Sequence, residues 1–95
     1  MSVKFEWDPK KAASNLSKHR VTLEEGLTVF ADPLAKIFDD ENHSTKEQRE
    51  IIIGHSGSNR LLLVCFAARA DSIRIFSARK ATKQERKDYE ENVTT

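Results

Sequence analysis

Six consecutive apolar residues, Leu61-Leu-Leu-Val-Cys-Phe66, constrain this chain more than anything else in it. Side chains of a strand alternate between the two faces of its sheet, so an unbroken apolar run leaves neither face suited to water. Such a segment belongs at the centre of a sheet covered on both sides. It is far too short to span a bilayer. Its neighbours read as partners in a meander. Arg49–His55 and Ser72–Arg79 are strand-like, Ser56-Gly-Ser-Asn59 makes one hairpin turn, and Ala70-Asp71 lies in the other.

The front of the chain carries helix signals. Val3–Trp7 alternates as a short strand, and Asp8-Pro9 supplies a helix N-cap followed by proline at the first helical position. The helix is expected to reach His19, with Ala12, Ala13 and Leu16 inward and Lys11, Asn15 and Lys18 on a polar stripe. Thr22-Leu-Glu-Glu25 is a capping box opening a second helix whose Leu23, Leu27 and Phe30 share one face, and Asp32-Pro33 stops it. Leu34–Phe38 reads as a strand, followed by an acidic loop over Asp39–Lys46. A second capping box, Thr82-Lys-Gln-Glu85, opens a last helix in which Tyr89 is the one large aromatic anchor. The order is βααββββα. It predicts a single α+β domain over residues 1–95, a mostly antiparallel sheet with two N-terminal helices and one C-terminal helix.

Composition narrows the class. Ninety-five residues suit one domain with a modest core. The first residues lack a signal-peptide pattern, and a single cysteine, Cys65, precludes an internal disulfide, so a cytoplasmic protein without a membrane partner is expected. The net charge of +1 says little, but its distribution says more. Residues 1–20 hold five Lys/Arg against two acids and residues 69–87 hold seven against two, while residues 38–50 hold five acids against two bases. Two basic regions could converge on one surface.

The segment Ile73-Arg-Ile-Phe-Ser-Ala-Arg-Lys80 is the chemically suggestive one. Arg74 lies between Ile73 and Ile75 and so projects to the opposite face from them. An unpaired buried guanidinium costs several kcal/mol, and its fork suits phosphate, so the segment suggests an anion site on a sheet. Three scattered histidines and one cysteine offer no metal-ligand spacing, and no cofactor or metal is expected. Cys65 reads as a core residue.

Trp7-Asp8-Pro9, Lys11, Asn15 and Lys18-His19-x-Val21 at the front, with Arg74 and Ser77-Ala-Arg-Lys-Ala81 at the back, resemble the BrnT family of type II toxin–antitoxin ribonucleases. The resemblance implies a RelE-like fold, metal-independent cleavage of RNA that inhibits translation, and neutralisation by a ribbon-helix-helix antitoxin. It leaves no role for direct DNA binding by this chain alone, and no reader motif for DNA is visible.

RNA cleavage without metal needs a base for the 2′-hydroxyl, cations for the developing charge and an acid for the leaving 5′-oxygen. Arg74 and Arg79 are the first candidates for the cationic role. Arg79 precedes the helix opening at Thr82, so its side chain and free backbone donors are expected to share a phosphate. Arg69 is balanced between that role and pairing with Asp71, Glu6 or Asp8. Tyr89 is a candidate proton donor or stacking group, and also the natural anchor of its helix. Lys11, Lys18, His19 and Lys80 are candidate substrate-binding residues, with a helix cap as the competing role for His19. His43 and His55 read as surface residues. Family members often carry histidine or tyrosine at the position of Phe66 and glutamate at that of Ala68, neither of which this chain retains. Glycine commonly stands in place of Arg20. The alternative is therefore a weakened or inactive toxin-fold module that binds an antitoxin, and possibly RNA, without cleavage.

Overall fold

The computed structural model describes residues 3–41 and 47–93. Strand β1 (Lys4–Glu6) leads into helix α1 (Pro9–His19) and helix α2 (Leu23–Leu27), which tightens into a 3-10 turn over Thr28–Ala31. Strands β2 (Lys36–Asp39), β3 (Glu50–His55), β4 (Leu61–Ala68) and β5 (Ser72–Lys80) follow, and helix α3 (Lys83–Val93) closes the chain. The predicted order is the observed one. His43, in the acidic loop, lies outside the described residues.

One five-stranded sheet runs in the order β1-β5-β4-β3-β2. All pairings are antiparallel except that of β1 with β5. The apolar run does sit at the centre, on β4, and its two faces build two cores. Leu62, Val64 and Phe66 pack beneath α2 with Val21, Leu23, Val29, Ile52, Ile75 and Ala78. Leu61 and Leu63 face the other way, with Ile53 and Tyr89. Gly26 lets α2 approach the sheet, since a Cβ there would stand 2.9 Å from that of Ala78.

The caps behave as their chemistry requires, with one difference. Asp8 accepts from the Lys10 backbone N–H at 2.8 Å. In α3 the box is reciprocal: the Glu85 N–H donates to Thr82 Oγ1 at 3.1 Å and the Thr82 N–H donates to Glu85 Oε1 at 2.8 Å. In α2 only the Glu25 N–H to Thr22 Oγ1 half forms. The Glu25 carboxylate is committed instead to the Arg60 guanidinium and the Ser56 hydroxyl, which join α2 to the β3–β4 turn. Arg20 takes the left-handed conformation, φ 58°, and its N–H satisfies Leu16 O. A non-glycine residue there carries a backbone strain that glycine would avoid.

Helix α1 corrects the expected inward face. Asn15 is buried, whereas Ala13 and Leu16 are exposed. The reason lies in the sheet edge. β1 spans only three residues and pairs β5 from Ser72 to Arg74, which leaves the later backbone of β5 without a strand beside it. Asn15 takes that place. Its Nδ2 donates to Ala78 O at 2.7 Å and Val21 O at 2.8 Å, and its Oδ1 accepts from the Ala78 N–H at 3.0 Å. A buried backbone pair that would cost roughly 1–3 kcal/mol per unmet group is thereby satisfied. The stripe carrying Lys11, Asn15 and Lys18 thus borders the sheet.

Candidate active site

The face of the sheet opposite α2 is covered by α3 at one end and left open beside α1. A cleft of about 490 Å³ lies in the open part. Lys11, Ser14, Asn15, Lys18 and His19 of α1 form one wall, and Leu63, Cys65, Phe76, Ser77 and Arg79 of β4 and β5 form the floor. Arg49, Ile51 and Asp40 close the far side. Two segments that are basic in sequence therefore meet, as their charge suggests. Four lysine and arginine side chains and one imidazole surround the cleft, with Asp40 as the carboxylate among its lining residues.

A local irregularity in β5 shapes the floor. Cys65 pairs with Ser77 and Phe66 with Ile75, so Phe76 has no residue opposite it on β4. An extra residue of this kind re-aims side chains. Before it, Ile73 and Ile75 face α2. After it, Ala78 does, while Ser77 and Arg79 face the cleft. Phe76 enters the cleft as well, beneath Arg49, whose guanidinium carbon stands 3.8 Å from the ring centroid, with Lys11 Nζ at 5.2 Å.

The expected partnership of Arg79 is corrected. Its two terminal nitrogens each donate to Glu85 at 2.8 Å, and Nη1 also reaches Lys80 O at 3.2 Å. The Thr82 N–H, expected to be free for phosphate, donates to the same carboxylate. An anion does bind at this strand–helix junction, and it is the protein's own Glu85. The Arg79 guanidinium holds the Glu85 carboxyl down at about 2. Cys65 is pushed up to about 12, first by burial and then by its contact with Asp40 at 3.4 Å. Its thiol stays protonated and is no nucleophile at neutral pH.

Of the eight site candidates the cleft assembles four: Lys11, Lys18, His19 and Arg79. Arg74 pairs opposite Ala67, two residues from Cys65 on the same face, and so lies further along the open surface. It and Arg69 converge on Glu6 Oε1, at 3.8 and 3.2 Å, and Arg69 also reaches Glu47 at 3.2 Å. Lys80 is opposite Leu62 and therefore on the α2 side. Tyr89 is buried, and its hydroxyl donates to Asp32 Oδ2 at 3.4 Å. The same oxygen accepts from the His55 N–H at 2.7 Å, and the His55 and Tyr89 rings meet edge to face at 5.6 Å. Tyr89 and Lys80 are thus not cleft residues.

The family model for BrnT, the ribonuclease toxin of type II toxin–antitoxin systems, matches residues 7–85. The chain belongs to the BrnT family. The Brucella abortus ribonuclease toxin BrnT, known from a crystal structure, has a similar fold: TM-score 0.66 at 24% identity, over 86% of this chain and all of that one. No curated protein gives a significant match. Among the described residues no helix is long and apolar enough to cross a membrane, and no group of three or more His, Cys, Asp or Glu is placed to hold a metal ion.

The two departures from the BrnT pattern share a face of β4 and differ in burial. Phe66 is buried under α2 and meets the Phe30 ring edge-on at 5.0 Å. It faces away from the cleft, so its lack of a transferable proton leaves the cleft unchanged. Ala68 is exposed at the end of β4 and pairs with Ile73, so it too lies on the α2 side of the sheet and faces away from the cleft.

Two cleft residues escaped the sequence reading, Arg49 and Phe76. A signal for Phe76 was present. Ile73 and Ile75 are at odd positions and the small apolar Ala78 at an even one, so the strand's parity must change between them. Arg49 lies just before β3, where its carbonyl accepts from the Asp40 N–H at 2.9 Å, a contact between residues that local rules do not join.

Proposed function

We propose that this chain is an endoribonuclease whose cleft between α1 and β5 cuts RNA without a metal ion, acting as a cytoplasmic inhibitor of translation. The observation that supports this reading most is the convergence of Lys11, Lys18, Arg49 and Arg79 around His19. The RNA 2′-oxygen attacks the adjacent phosphorus and gives its proton to His19 as general base. The 2′-O–P bond forms and the P–5′-O bond breaks, leaving a 2′,3′-cyclic phosphate and a 5′-hydroxyl. Arg79, released from Glu85, and the lysines carry the charge that builds on the phosphoryl oxygens, and a lysine ammonium protonates the departing 5′-oxygen. Arg74 and Arg69, released from Glu6, hold the RNA backbone beyond the cleft. Tyr89 anchors α3 and Lys80 stays outside the machinery. A ribbon-helix-helix antitoxin neutralises the protein by presenting acidic side chains to the same cations.

Incubation of the purified chain with single-stranded RNA in excess EDTA tests the reaction. Cyclic-phosphate ends, lost in His19→Ala and Arg79→Ala, are expected. Cleavage that requires added magnesium, or that leaves 5′-phosphate ends, overturns the mechanism. The departures from the family pattern at Phe66 and Ala68 support a second reading, binding without cleavage. Antitoxin capture by a folded chain that yields no RNA product establishes it, and Ala68→Glu is then the first reversion to make.

A further inference from the structure

We propose that Arg49 seated on Phe76 is a stacking platform for one nucleobase of single-stranded RNA, held in the cleft beside the phosphate that reacts. This rests on the reading of the cleft as an RNA site and adds to it a place for the base.

Three observations converge. The extra residue in β5 presents Phe76 to the cleft instead of pairing it across the sheet. Such irregularities recur beside functional sites because they turn a side chain out of register. Second, Arg49 comes from just before β3 and seats its guanidinium 3.8 Å from the ring centroid, with the Lys11 ammonium 5.2 Å from the same ring. A cation over an aromatic face is attracted by the ring quadrupole and so held in place. Third, the cleft, at about 490 Å³, lies within the roughly 300–1,000 Å³ of sites that take small molecules, so it has room beyond a phosphate.

Phosphate needs only charge and donors, which Lys11, Lys18 and Arg79 supply. A guanidinium is also planar and more weakly hydrated than an ammonium, and such planes stack on unpaired bases. The ring beneath it holds that guanidinium at the cleft. Phe76 is therefore the positioning residue and Arg49 the contact. Base stacking tolerates any base, so the platform holds the strand without selecting a sequence.

The test is fluorescence anisotropy with a labelled, uncleavable 2′-O-methyl RNA oligonucleotide, and with inorganic polyphosphate of matched charge as competitor. Arg49→Lys keeps the charge and removes the plane, and Phe76→Leu keeps apolar bulk and removes the ring. Both are expected to bind RNA about tenfold more weakly, in line with the loss of one stacked base, and polyphosphate within about twofold of the unaltered chain. Equal losses on both probes, or undiminished RNA binding by Arg49→Lys, overturn the platform. An unaltered chain that binds polyphosphate but not RNA overturns the functional reading itself.

Discussion

The two faces of this sheet are made from the same strands and put to different use. The α2 face is sealed. Val21, Leu23, Val29, Leu62 and Val64 are all fully buried there, and Gly26 brings the helix almost onto the strand. The other face is half closed. Tyr89 pins α3 over Ile53, Leu61 and Leu63, and the remainder is the cationic cleft. Apolar burial stabilises by roughly 25 cal/mol per Å² removed from water, which an open cleft forgoes. Like charges gathered in that cleft also repel one another. The sealed face therefore carries the stability that allows the open face to hold a destabilising arrangement of charge.

The contrast can be broken most directly by truncating adjacent residues of β4. Leu62→Ala, on the sealed face, is expected to cost about 3 kcal/mol, and Leu63→Ala, bordering the cleft, clearly less because α3 can settle into the space. Urea denaturation midpoints measure both, and equal losses would show the faces to be packed alike. Next in size is the converse effect on activity. Arg79→Ala is expected to lower RNA cleavage about 100-fold, some 2.7 kcal/mol of transition-state stabilisation, while changing stability by less than about 1 kcal/mol. A loss of fold comparable to that of Leu62→Ala would assign Arg79 to structure.

Asn15→Ala sharpens the boundary between the faces. It leaves Val21 O and both Ala78 backbone groups without their partner, and a loss of about 2 kcal/mol is expected. Hydrogen exchange at the Ala78 amide should accelerate with it; an unchanged rate would mean that Asn15 does not protect the edge of β5. The smallest effect is one of pH. The Glu85 carboxyl lies at about 2, well below its ordinary value of 4.5, chiefly because of Arg79. A depressed acid contributes stability that is complete above its unfolded value and lost as pH falls through its folded one. The α3 junction should accordingly loosen between pH 4.5 and about 2, with Arg79 released. NMR signals of the Tyr89 ring report this, and Glu85→Gln, which can still cap α3, should abolish the dependence.

Asn15 and Arg79 also show how far the sequence carried. Asn15 sits correctly on the stripe between Lys11 and Lys18. A helical period shows which residues share a face and is silent on which face meets the sheet, and a polar stripe is ordinarily the wet one. Only a β1 too short to cover β5 turns an amide into the best available neighbour for exposed backbone. The sequence marks Arg79 as a phosphate ligand at the strand–helix junction. Its anion proved to be Glu85, the same residue that signals the capping box, because a carboxylate three residues into a helix is within reach of both the cap and the strand before it.

What the sequence determined by itself is the order βααββββα, the central position of Leu61–Phe66, the helix starts at Asp8, Thr22 and Thr82, and the family. Each depends on residues close together in the chain: an alternation, an unbroken apolar run, a cap, a short motif. What only the tertiary structure decided is which cations meet. Lys11 and Lys18 share one helix, but that helix, Arg49 and Arg79 come from three stretches that local rules treat independently, and the sheet order places them around one cleft. Arg74, as promising in the sequence, is drawn to Glu6 because the parallel pairing of β1 sets that carboxylate beside it. Electrostatic partnership depends on distance through space, and strand pairing sets those distances between residues remote in sequence.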